Sequence, residues 1–301
     1  MKIRLAFFTF VLLVPLLSAG QFVVVSFNLE NFVGKNEFRR AVKTAVSRDK
    51  IVEAIIEIKP DVLAVQEIGQ RARLEELQKM LKAKGLNLQH SVFVDGPDPV
   101  INLAVLSRFP MKETVHRQVP FLLGKKRRLV SRGFAEVEVR VAPGYSFTLF
   151  NAHLKSKRPV PYASEAALRL REAEALRALV DQRLAAVPGR NLIVVGDLND
   201  TPNATPIRAL IARGNRKLVD LRPAERNGDK APSANRYPPR RVTWTTYYGR
   251  EDSFTRFDYL LASPGMAKEL VRSGTYVLAM PDWGVASDHR PVVATFRDSD
   301  E

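Results

Sequence analysis

The chain has 301 residues, of which 46% are hydrophobic, and its formal net charge is +15. This length and apolar content are sufficient for one large domain with a packed core, and they exclude disorder along the whole chain. Because the sequence contains no cysteine, disulfide crosslinks and zinc held by thiolates are excluded, and the core alone must stabilise the fold.

The first twenty residues have the layout of a secretory signal peptide. A basic start with Lys2 and Arg4 precedes an apolar run over 5–17 and the small residues Ser18, Ala19 and Gly20. The apolar run is about thirteen residues long, which is short of the roughly 20 needed to cross a bilayer. We therefore expect cleavage after Gly20, a secreted or periplasmic protein, and no membrane span in the mature chain.

The positive charge favours a polyanionic partner. The mature chain keeps a net charge of +13, because the first twenty residues contain two basic residues and no acidic ones. Such an excess suits nucleic acid, anionic lipid surfaces or cell-wall polymers. A generally basic surface that only aids solubility is the alternative interpretation.

Three segments have apolar residues at helical spacing, namely 47–59, 71–84 and 162–186. Pro60 ends the first helix and Gly85 ends the second. The third segment is the longest and carries many charged residues around a leucine stripe, which is typical of a scaffold helix that covers a sheet.

Short apolar runs predict strands between and after these helices. They lie at 22–27, 61–65, 90–94, 103–106, 134–141, 146–150, 192–195, 257–262 and 291–296. Two basic stretches, 125–128 and 222–241, are predicted to be loops. Strands and helices intermix without strict alternation, which favours an α/β fold of four layers, with two packed mixed β-sheets flanked by helices. With no internal repeat, residues 21–301 are predicted to form a single domain.

Six short polar motifs occur between residues 26 and 291, and most of them follow a predicted strand directly. They are Ser26-Phe27-Asn28-Leu29-Glu30-Asn31-Phe32, Val65-Gln66-Glu67, Asn151-Ala152-His153-Leu154-Lys155-Ser156-Lys157, Gly196-Asp197-Leu198-Asn199-Asp200, Phe257-Asp258-Tyr259 and Ser287-Asp288-His289-Arg290-Pro291. Carboxylate and amide oxygens suit a hard divalent cation, and histidine can move a proton near neutral pH. The combination indicates metal-assisted attack on a phosphate ester.

The order and wording of these motifs resemble the endonuclease/exonuclease/phosphatase superfamily. That superfamily includes pancreatic-type deoxyribonucleases, abasic-site endonucleases, neutral sphingomyelinases and inositol-polyphosphate phosphatases. The resemblance covers nearly the whole mature chain, and it implies in-line attack of water on phosphorus without a covalent enzyme intermediate.

The resemblance also implies which residues bind metal. Glu67 would hold the divalent cation, which is expected to be Mg²⁺ with Mn²⁺ as a substitute. Glu30 and Asp288 would assist as further carboxylate ligands. If the first strand persists, the alternation of side chains places Glu30 on the same face as Asn28.

Further residues receive catalytic roles from the same resemblance. His289 would transfer protons with Asp258 as its orienting partner, while Asp197 would orient or activate the attacking water. The remaining members of the set would contact the phosphate or hydrogen-bond within the site, and they are Asn28, Asn199, Asn151, His153, Lys155 and Lys157. For His153, the neighbouring segment 100–103 offers only Asn102 as a partner.

The leading functional hypothesis is a secreted, Mg²⁺-dependent nuclease, with DNA preferred over RNA as the substrate. No stable protein partner is implied, and a monomer is expected. The alternative is a phosphoesterase that acts on a lipid head group or a sugar phosphate, as sphingomyelinases and inositol phosphatases do. A third hypothesis, a binding module without catalysis, would require loss of a metal or proton-transfer residue, and the sequence retains the full set.

Overall fold

The computed structural model describes residues 20–34, 41–228 and 231–300. Its helices have the following bounds: α1 Ala45–Ile58, α2 Arg71–Ala83, α3 Glu165–Ala186, α4 Thr205–Ile211, α5 Pro264–Lys268 and α6 Trp283–Ala286. The three helices predicted from apolar spacing thus form within three residues of their expected ends. Thr44 and Ser164 begin α1 and α3 because their hydroxyls accept from the backbone N–H of Ser47 and Ala167.

The strands form two large sheets and two hairpins. Their bounds are β1 Gln21–Phe32, β2 Val62–Ile68, β3 His90–Val94, β4 Asn102–Ser107, β5 Met111–His116, β6 Pro120–Leu123, β7 Lys126–Leu129, β8 Phe134–Ala142, β9 Tyr145–His153, β10 Leu192–Asp197, β11 Val219–Asp220, β12 Ala224–Glu225, β13 Thr246–Tyr248, β14 Ser253–Thr255, β15 Asp258–Ala262, β16 Leu270–Val277 and β17 Val292–Arg297. One sheet has the order β12-β16-β17-β1-β2-β4-β3, and the other has the order β11-β15-β10-β9-β8-β5.

The two sheets pack face to face, with helices on both outer faces. A core cluster containing Phe22, Val24, Phe147 and Leu149 lies between the sheets. A second cluster packs β1 and β2 against α1 and α2, and a third packs β9 and β10 against α3 and α4. This arrangement of helix, sheet, sheet and helix confirms the predicted four-layer α/β sandwich.

The strand directions bring the polar motifs to one end of the sandwich. Strand β1 runs parallel to β2, and β9 runs parallel to β10, so their carboxyl ends lie together within each sheet. Strands β15 and β17 run antiparallel to these neighbours, which places their first residues at the same end. We call this end of the sandwich the site end.

The basic stretch 125–128 is not a loop, as its composition predicted, but part of a hairpin. Strands β6 and β7 pair from Pro120 with Leu129 to Leu123 with Lys126, and the turn uses Gly124 at a φ of 59°. The hairpin connects β5 to β8 at the site end, since His116 pairs with Phe134. The apolar residues of β6 pair across the hairpin with the basic residues of β7, so the charge run forms a strand where its composition alone suggested a solvated loop.

Two edge regions also differ from the sequence prediction. The 222–241 segment contains the short strand β12, which pairs in parallel with β16. Strands β5 and β16 were not predicted, because each exposes much of its length and so lacks a continuous apolar run.

The signal-peptide prediction falls almost entirely on residues 1–19, which lie outside the described residues. Among the helices that the structure describes, none has the length and apolar content needed to cross a membrane.

A buried carboxyl group lies at the opposite end of the sandwich from the site end. Glu269 accepts hydrogen bonds from the Tyr145 hydroxyl and from Asn191 Nδ2, the latter at 2.8 Å. Desolvation raises the pKa of Glu269 to about 7, although both hydrogen bonds oppose the shift. The folded state therefore holds this proton more tightly than the unfolded chain does.

We predict that Glu269 makes the protein less stable as pH rises. Its stabilising contribution is fully present below its ordinary pKa of 4.5, and it is lost as pH rises through about 7. Urea unfolding of wild type and Glu269→Gln at several pH values should show a smaller loss between pH 4.5 and 7 in the variant. Parallel pH profiles for the two proteins would contradict this assignment.

Candidate functional site

Side-chain alternation carries the polar residues into the space between the sheets. In β1, Phe22 and Val24 face the opposite sheet, and Ser26 and Asn28 continue the same row. The rows of the other strands end in the same way, with Gln66, His153, Asp197 and Asp258. A polar cluster therefore caps the apolar core at the site end.

Asn28 and Asn199 hold the carboxylate of Asp197 from two sides. Asn28 Nδ2 lies 3.0 Å from Asp197 Oδ2, and Asn199 donates its backbone N–H at 2.9 Å and its Nδ2 at 3.2 Å. Asn199 converges on Asp197 through a turn, with a φ of 53°. Gly196 is required just before Asp197, because a Cβ there would lie 1.9 Å from the Ala152 carbonyl oxygen.

His289 and Asp258 form a buried hydrogen-bonded pair. His289 Nδ1 lies 2.8 Å from Asp258 Oδ2, and that oxygen also accepts from the Thr245 hydroxyl at 2.6 Å. Since Asp258 engages Nδ1, the ring directs Nε2 toward Asp197 Oδ2, which is 3.7 Å away. This geometry matches the predicted relation between a proton-transfer histidine and its orienting carboxylate.

The charges of this cluster shift one another's pKa values. Desolvation raises the pKa of Asp197 to about 7, against the opposing charge of His289. Burial disfavours the charged form of His289, but Asp258 and Asp197 outweigh burial and hold its pKa well above 6.5. At neutral pH the site thus contains an imidazolium beside a carboxyl group that can gain or lose a proton.

His153 joins the same cluster from β9. Its Nε2 lies 3.4 Å from Asp197 Oδ2 and 3.9 Å from Glu67 Oε1. Asn102, which was the only partner offered by the neighbouring segment, instead donates to the Gly69 carbonyl. The carboxylates next to His153 come from strands distant in sequence.

A backbone irregularity turns Glu67 into the site. Strand alternation would direct this residue toward the helices, but its φ of 58° and a register shift in β2 reverse the side chain. Glu67 Oε1 then lies 3.4 Å from Asn28 Nδ2, and the backbone N–H of Asn31 donates to Oε2 at 3.0 Å. The predicted metal ligand is therefore held at the edge of the polar cluster.

Glu30 joins the site through its backbone N–H, which donates to Asn28 Oδ1 at 3.0 Å. Its φ of 46° interrupts the alternation of β1, so Glu30 and Asn28 do not share a strand face as expected. Glu30 pairs with Lys43 at 3.0 Å. Its charge and that of Glu67 still act on Asp288, whose pKa is raised to about 6 by burial first and then by these carboxylates, against His289.

Among the described residues one group has its ligand atoms close enough together to hold a metal ion, and a second set of carboxylates lies nearer to solvent. Ligand atoms of Asp197, Asp258 and His289 all lie within 4.8 Å of one another, but most of them already hydrogen-bond within the cluster. Glu67, Glu30 and Asp288 are more accessible, with side-chain exposures of 17%, 40% and 44%. This second set offers only oxygen donors partly open to solvent, which suit a hard divalent cation, although its three carboxylates do not lie within 4.8 Å of one another as the first group does.

Asn151 occupies a structural position beneath the site. Its Nδ2 donates to the carbonyls of Val65 and Ala104, both at 2.9 Å, and its Oδ1 accepts from Gln66 at 2.7 Å. Because the fully buried amide is saturated by these bonds across the two sheets, it has no donor left for a phosphate. We therefore replace the predicted phosphate contact with a role in joining the sheets.

The two predicted lysines lie at the rim and not in the cluster. Lys155 Nζ donates to the carbonyls of Ser156 and Arg158, and burial lowers the pKa of its amine. Lys157 Nζ lies 3.9 Å from Asp200 and 4.9 Å from the centre of the Phe257 ring.

Several residues that hold the site carried no recognisable sequence signal. Thr246 contacts His289 Nδ1 at 3.1 Å. Ser287 does belong to the last polar motif, but its role in joining the His289 backbone N–H to the Asn28 carbonyl through Oγ was not predicted. On the scaffold helix α3, Arg169 donates to Asp200 at 2.9 Å and to the Lys155 carbonyl at 3.0 Å. These contacts join segments far apart in the chain, so no local motif could reveal them.

A family model described as the Endonuclease/Exonuclease/phosphatase family matches residues 25–289. Among solved structures, the fold is similar to truncated TDP2 of Caenorhabditis elegans, with 18% identity, a TM-score of 0.60, and coverage of 92% of this chain and 97% of that chain. The human Nocturnin catalytic domain with bound sulfate is 18% identical, with a TM-score of 0.61, and the match covers 93% of this chain and 95% of that chain. Sphingomyelinase C from Streptomyces griseocarneus is 17% identical, with a TM-score of 0.57, and the match covers 92% of this chain and 100% of that chain. No curated protein matches the chain.

We predict that Asn151→Ala destabilises the fold more than a matched asparagine variant. Removing Asn151 leaves two buried carbonyls and Gln66 without their partner, which should cost about 2 to 4 kcal/mol of unfolding free energy. Asn102→Ala, which removes a single hydrogen bond to Gly69, should cost about 1 kcal/mol. Denaturant unfolding measures both, and equal losses would contradict the bridging role.

Proposed function

The chain belongs to the endonuclease/exonuclease/phosphatase family, and from that premise we propose that it is a metal-dependent phosphodiesterase that hydrolyses nucleic acid. Members of this family are hydrolases that act on phosphoester bonds. One observation carries the proposal: His289 Nε2 lies 3.7 Å from Asp197 Oδ2. The side-chain amide of Asn28 lies beside both residues and also beside the Glu67 carboxylate. A water, a proton acceptor, a proton donor and a cation site would then converge on one phosphate.

Glu67 is proposed as the principal metal ligand, with Asp288 and Glu30 as further oxygen donors. A bound Mg²⁺ or Mn²⁺ would offset negative charge on the phosphate and on the leaving oxygen. The absence of thiolates in the chain and the oxygen character of this donor set support such a hard cation.

Asp197 is proposed to take the proton from the attacking water. Its pKa of about 7 suits a general base at neutral pH, and Asn28 and Asn199 fix its carboxylate. His289, held as an imidazolium by Asp258, would donate its Nε2 proton toward a phosphate oxygen. His153 would add a neutral or positive contact to the same phosphate, while the Asn199 amide, which donates to Asp197 and to the Leu154 carbonyl, positions the base and not the substrate as predicted.

Basic segments at the site end support nucleic acid as the substrate. The β6–β7 hairpin carries Lys125, Lys126 and Arg127 in exposed positions. Lys157 is exposed on the rim, and the arginine-rich segment that begins at residue 222 is joined to the site end by the ion pair of Glu225 with Arg290. A series of separated cations suits a long phosphate backbone better than a single head group.

A lipid or sugar-phosphate substrate is the second candidate. Exposed Tyr248 and Phe254 next to the site are the observation that favours a lipid surface.

We further propose that the protein is a monomer and is secreted or periplasmic, with DNA preferred over RNA. The support for export is the signal-like sequence of residues 1–20.

We predict that His289→Ala and Asp197→Ala each lower kcat by roughly 10² to 10⁴-fold, because both residues act on protons in the transition state. Asp258→Asn should lower kcat less, since Asp258 acts through His289. His90→Ala is a matched control, because His90 lies at the start of β3 and contacts only Gln89 by side chain among the described residues. Near wild-type kcat in a folded His289→Ala or Asp197→Ala protein would contradict these roles.

We predict that hydrolysis requires a divalent cation and prefers nucleic acid. Plasmid, linear DNA, RNA, sphingomyelin, inositol phosphates and bis-nitrophenyl phosphate should each be assayed with Mg²⁺, with Mn²⁺ and with chelator. Chelation should abolish all cleavage, Mg²⁺ should restore it, and Glu67→Gln should raise the Mg²⁺ concentration needed for half activity. Full activity in chelator would reject the mechanism, and cleavage of sphingomyelin or inositol phosphates alone would reject the nucleic-acid substrate.

A further inference from the structure

A cluster of aromatic rings lies beside the site, on the β13–β14 hairpin and its neighbours. The ring of Phe254 is 4.8 Å from those of Trp244 and Tyr247, and Trp244 is 5.2 Å from Trp283. We call these four residues the aromatic platform. Phe254 remains 54% exposed despite its two ring contacts, and Tyr248 on the same hairpin is 46% exposed. Large rings grouped in contact with water mark a binding surface.

The platform is fixed to the residues that carry the proposed chemistry. Thr246 pairs directly with His289, and the backbone N–H of Tyr247 donates to the Asp288 carbonyl at 2.9 Å. Trp283 begins α6, which ends just before Ser287. Since Tyr247 is next to Thr246, the platform begins one residue, about 3.3 Å of strand, from the residue that pairs with His289.

Guanidinium groups accompany the exposed rings. Arg290 lies 4.1 Å from the centre of the Trp244 ring, but it is buried and paired with Glu225, so it supports the platform from behind. In the 222–241 segment, Arg222 and Arg236 lie 4.3 Å and 5.4 Å from the ring of Tyr237, which is 53% exposed. Rings interleaved with cations suit a ligand that combines flat bases with phosphates.

The turn of the hairpin argues against insertion into a membrane. Arg250, Glu251 and Asp252 occupy the turn, and the Tyr247 hydroxyl donates to Asp252 at 2.7 Å. A hairpin that entered a bilayer tip first would carry these charges into hydrocarbon, which is unfavourable. The rings instead lie along the strands, where a ligand at the site can reach them.

We propose that the aromatic platform stacks the unpaired bases of a single-stranded nucleic acid next to the phosphate being cleaved. This inference rests on the proposed function and specifies its substrate. Bases in a duplex are already stacked on one another, whereas a single strand leaves ring faces available for the exposed ring of Phe254.

Binding to two oligomers of equal length tests the platform. A dye-labelled oligothymidylate and an abasic oligomer have the same phosphates, but only the first has bases. In chelator, to prevent cleavage, fluorescence anisotropy should show that the wild type binds oligothymidylate about 5- to 100-fold more tightly, which corresponds to one stacked base. Phe254→Ala should lose most of this ratio, and Phe254→Trp should keep it.

Two further variants control for general effects. Phe254→Leu retains apolar area without an aromatic face and should lose the preference as Phe254→Ala does. Tyr162→Ala removes a ring of nearly equal exposure, 55%, outside the platform, and it should leave the ratio unchanged. Unchanged hydrolysis of bis-nitrophenyl phosphate by the Phe254 variants would show that their site is intact.

The stacking proposal would be overturned if the wild type bound the two oligomers with equal affinity. It would also be overturned if Phe254→Ala kept the wild-type ratio of affinities for oligothymidylate and the abasic oligomer. Loss of binding to phosphatidylcholine and phosphatidylglycerol vesicles in Phe254→Ala, with oligothymidylate binding unchanged, would assign the hairpin to membranes and overturn it as well. Cleavage of nucleic acid by the wild type, measured alongside, separates these results from failure of the proposed function. If nucleic acid is cleaved without base preference, only the platform is rejected; if it is not cleaved, the nuclease proposal is rejected.

Discussion

The alternation of side chains along strands that face another sheet is the constraint on which the site depends. Each strand presents every second residue to the space between the sheets, where the apolar core of residues such as Val24 and Leu149 excludes water. At the site end the same rows continue as Asn28, Asp197 and Asp258. Polar groups buried there must satisfy one another, because unpaired burial is costly. The packing that stabilises the sandwich therefore also brings the carboxylates and histidines together in one cluster.

The site also needs departures from regular backbone. Glu67, Asn199 and Glu30 have positive φ values of 58°, 53° and 46°, which non-glycine residues adopt at a cost of about 1 to 3 kcal/mol each. In each case the turn redirects a functional side chain that strand alternation would place elsewhere. Hydrogen bonds such as that from the Asn31 N–H to Glu67 offset part of the cost. Backbone strain at these three positions is expected for a functional site, although Lys59 and Ala212 adopt positive φ elsewhere in the fold.

The sequence predicted the elements whose signals are local. Buried strands such as β2 and β10 have continuous apolar runs, and α1 and α3 have helical spacing with a capping residue ahead of them. Strands β5 and β16 lie near or at sheet edges, so their sequences carry no clear apolar pattern. The polar motifs indicated where the site residues would gather, but not that Asn151 would be saturated by two strand carbonyls or that Thr245 would bind Asp258. Those contacts depend on how distant segments pack, which no single motif records.

The central claim is that the carboxylates of the site divide between two tasks. In the proposed mechanism Asp197 and Asp258 would adjust proton positions with His289, whereas Glu67, Glu30 and Asp288 would provide oxygen ligands for a cation. A crystal structure of the protein soaked with Mn²⁺, with data collected at the manganese absorption edge, locates the cation directly. We predict an anomalous peak bound by a Glu67 oxygen and absent in Glu67→Gln. A peak coordinated by Asp197, Asp258 and His289, with none at Glu67, would contradict this division.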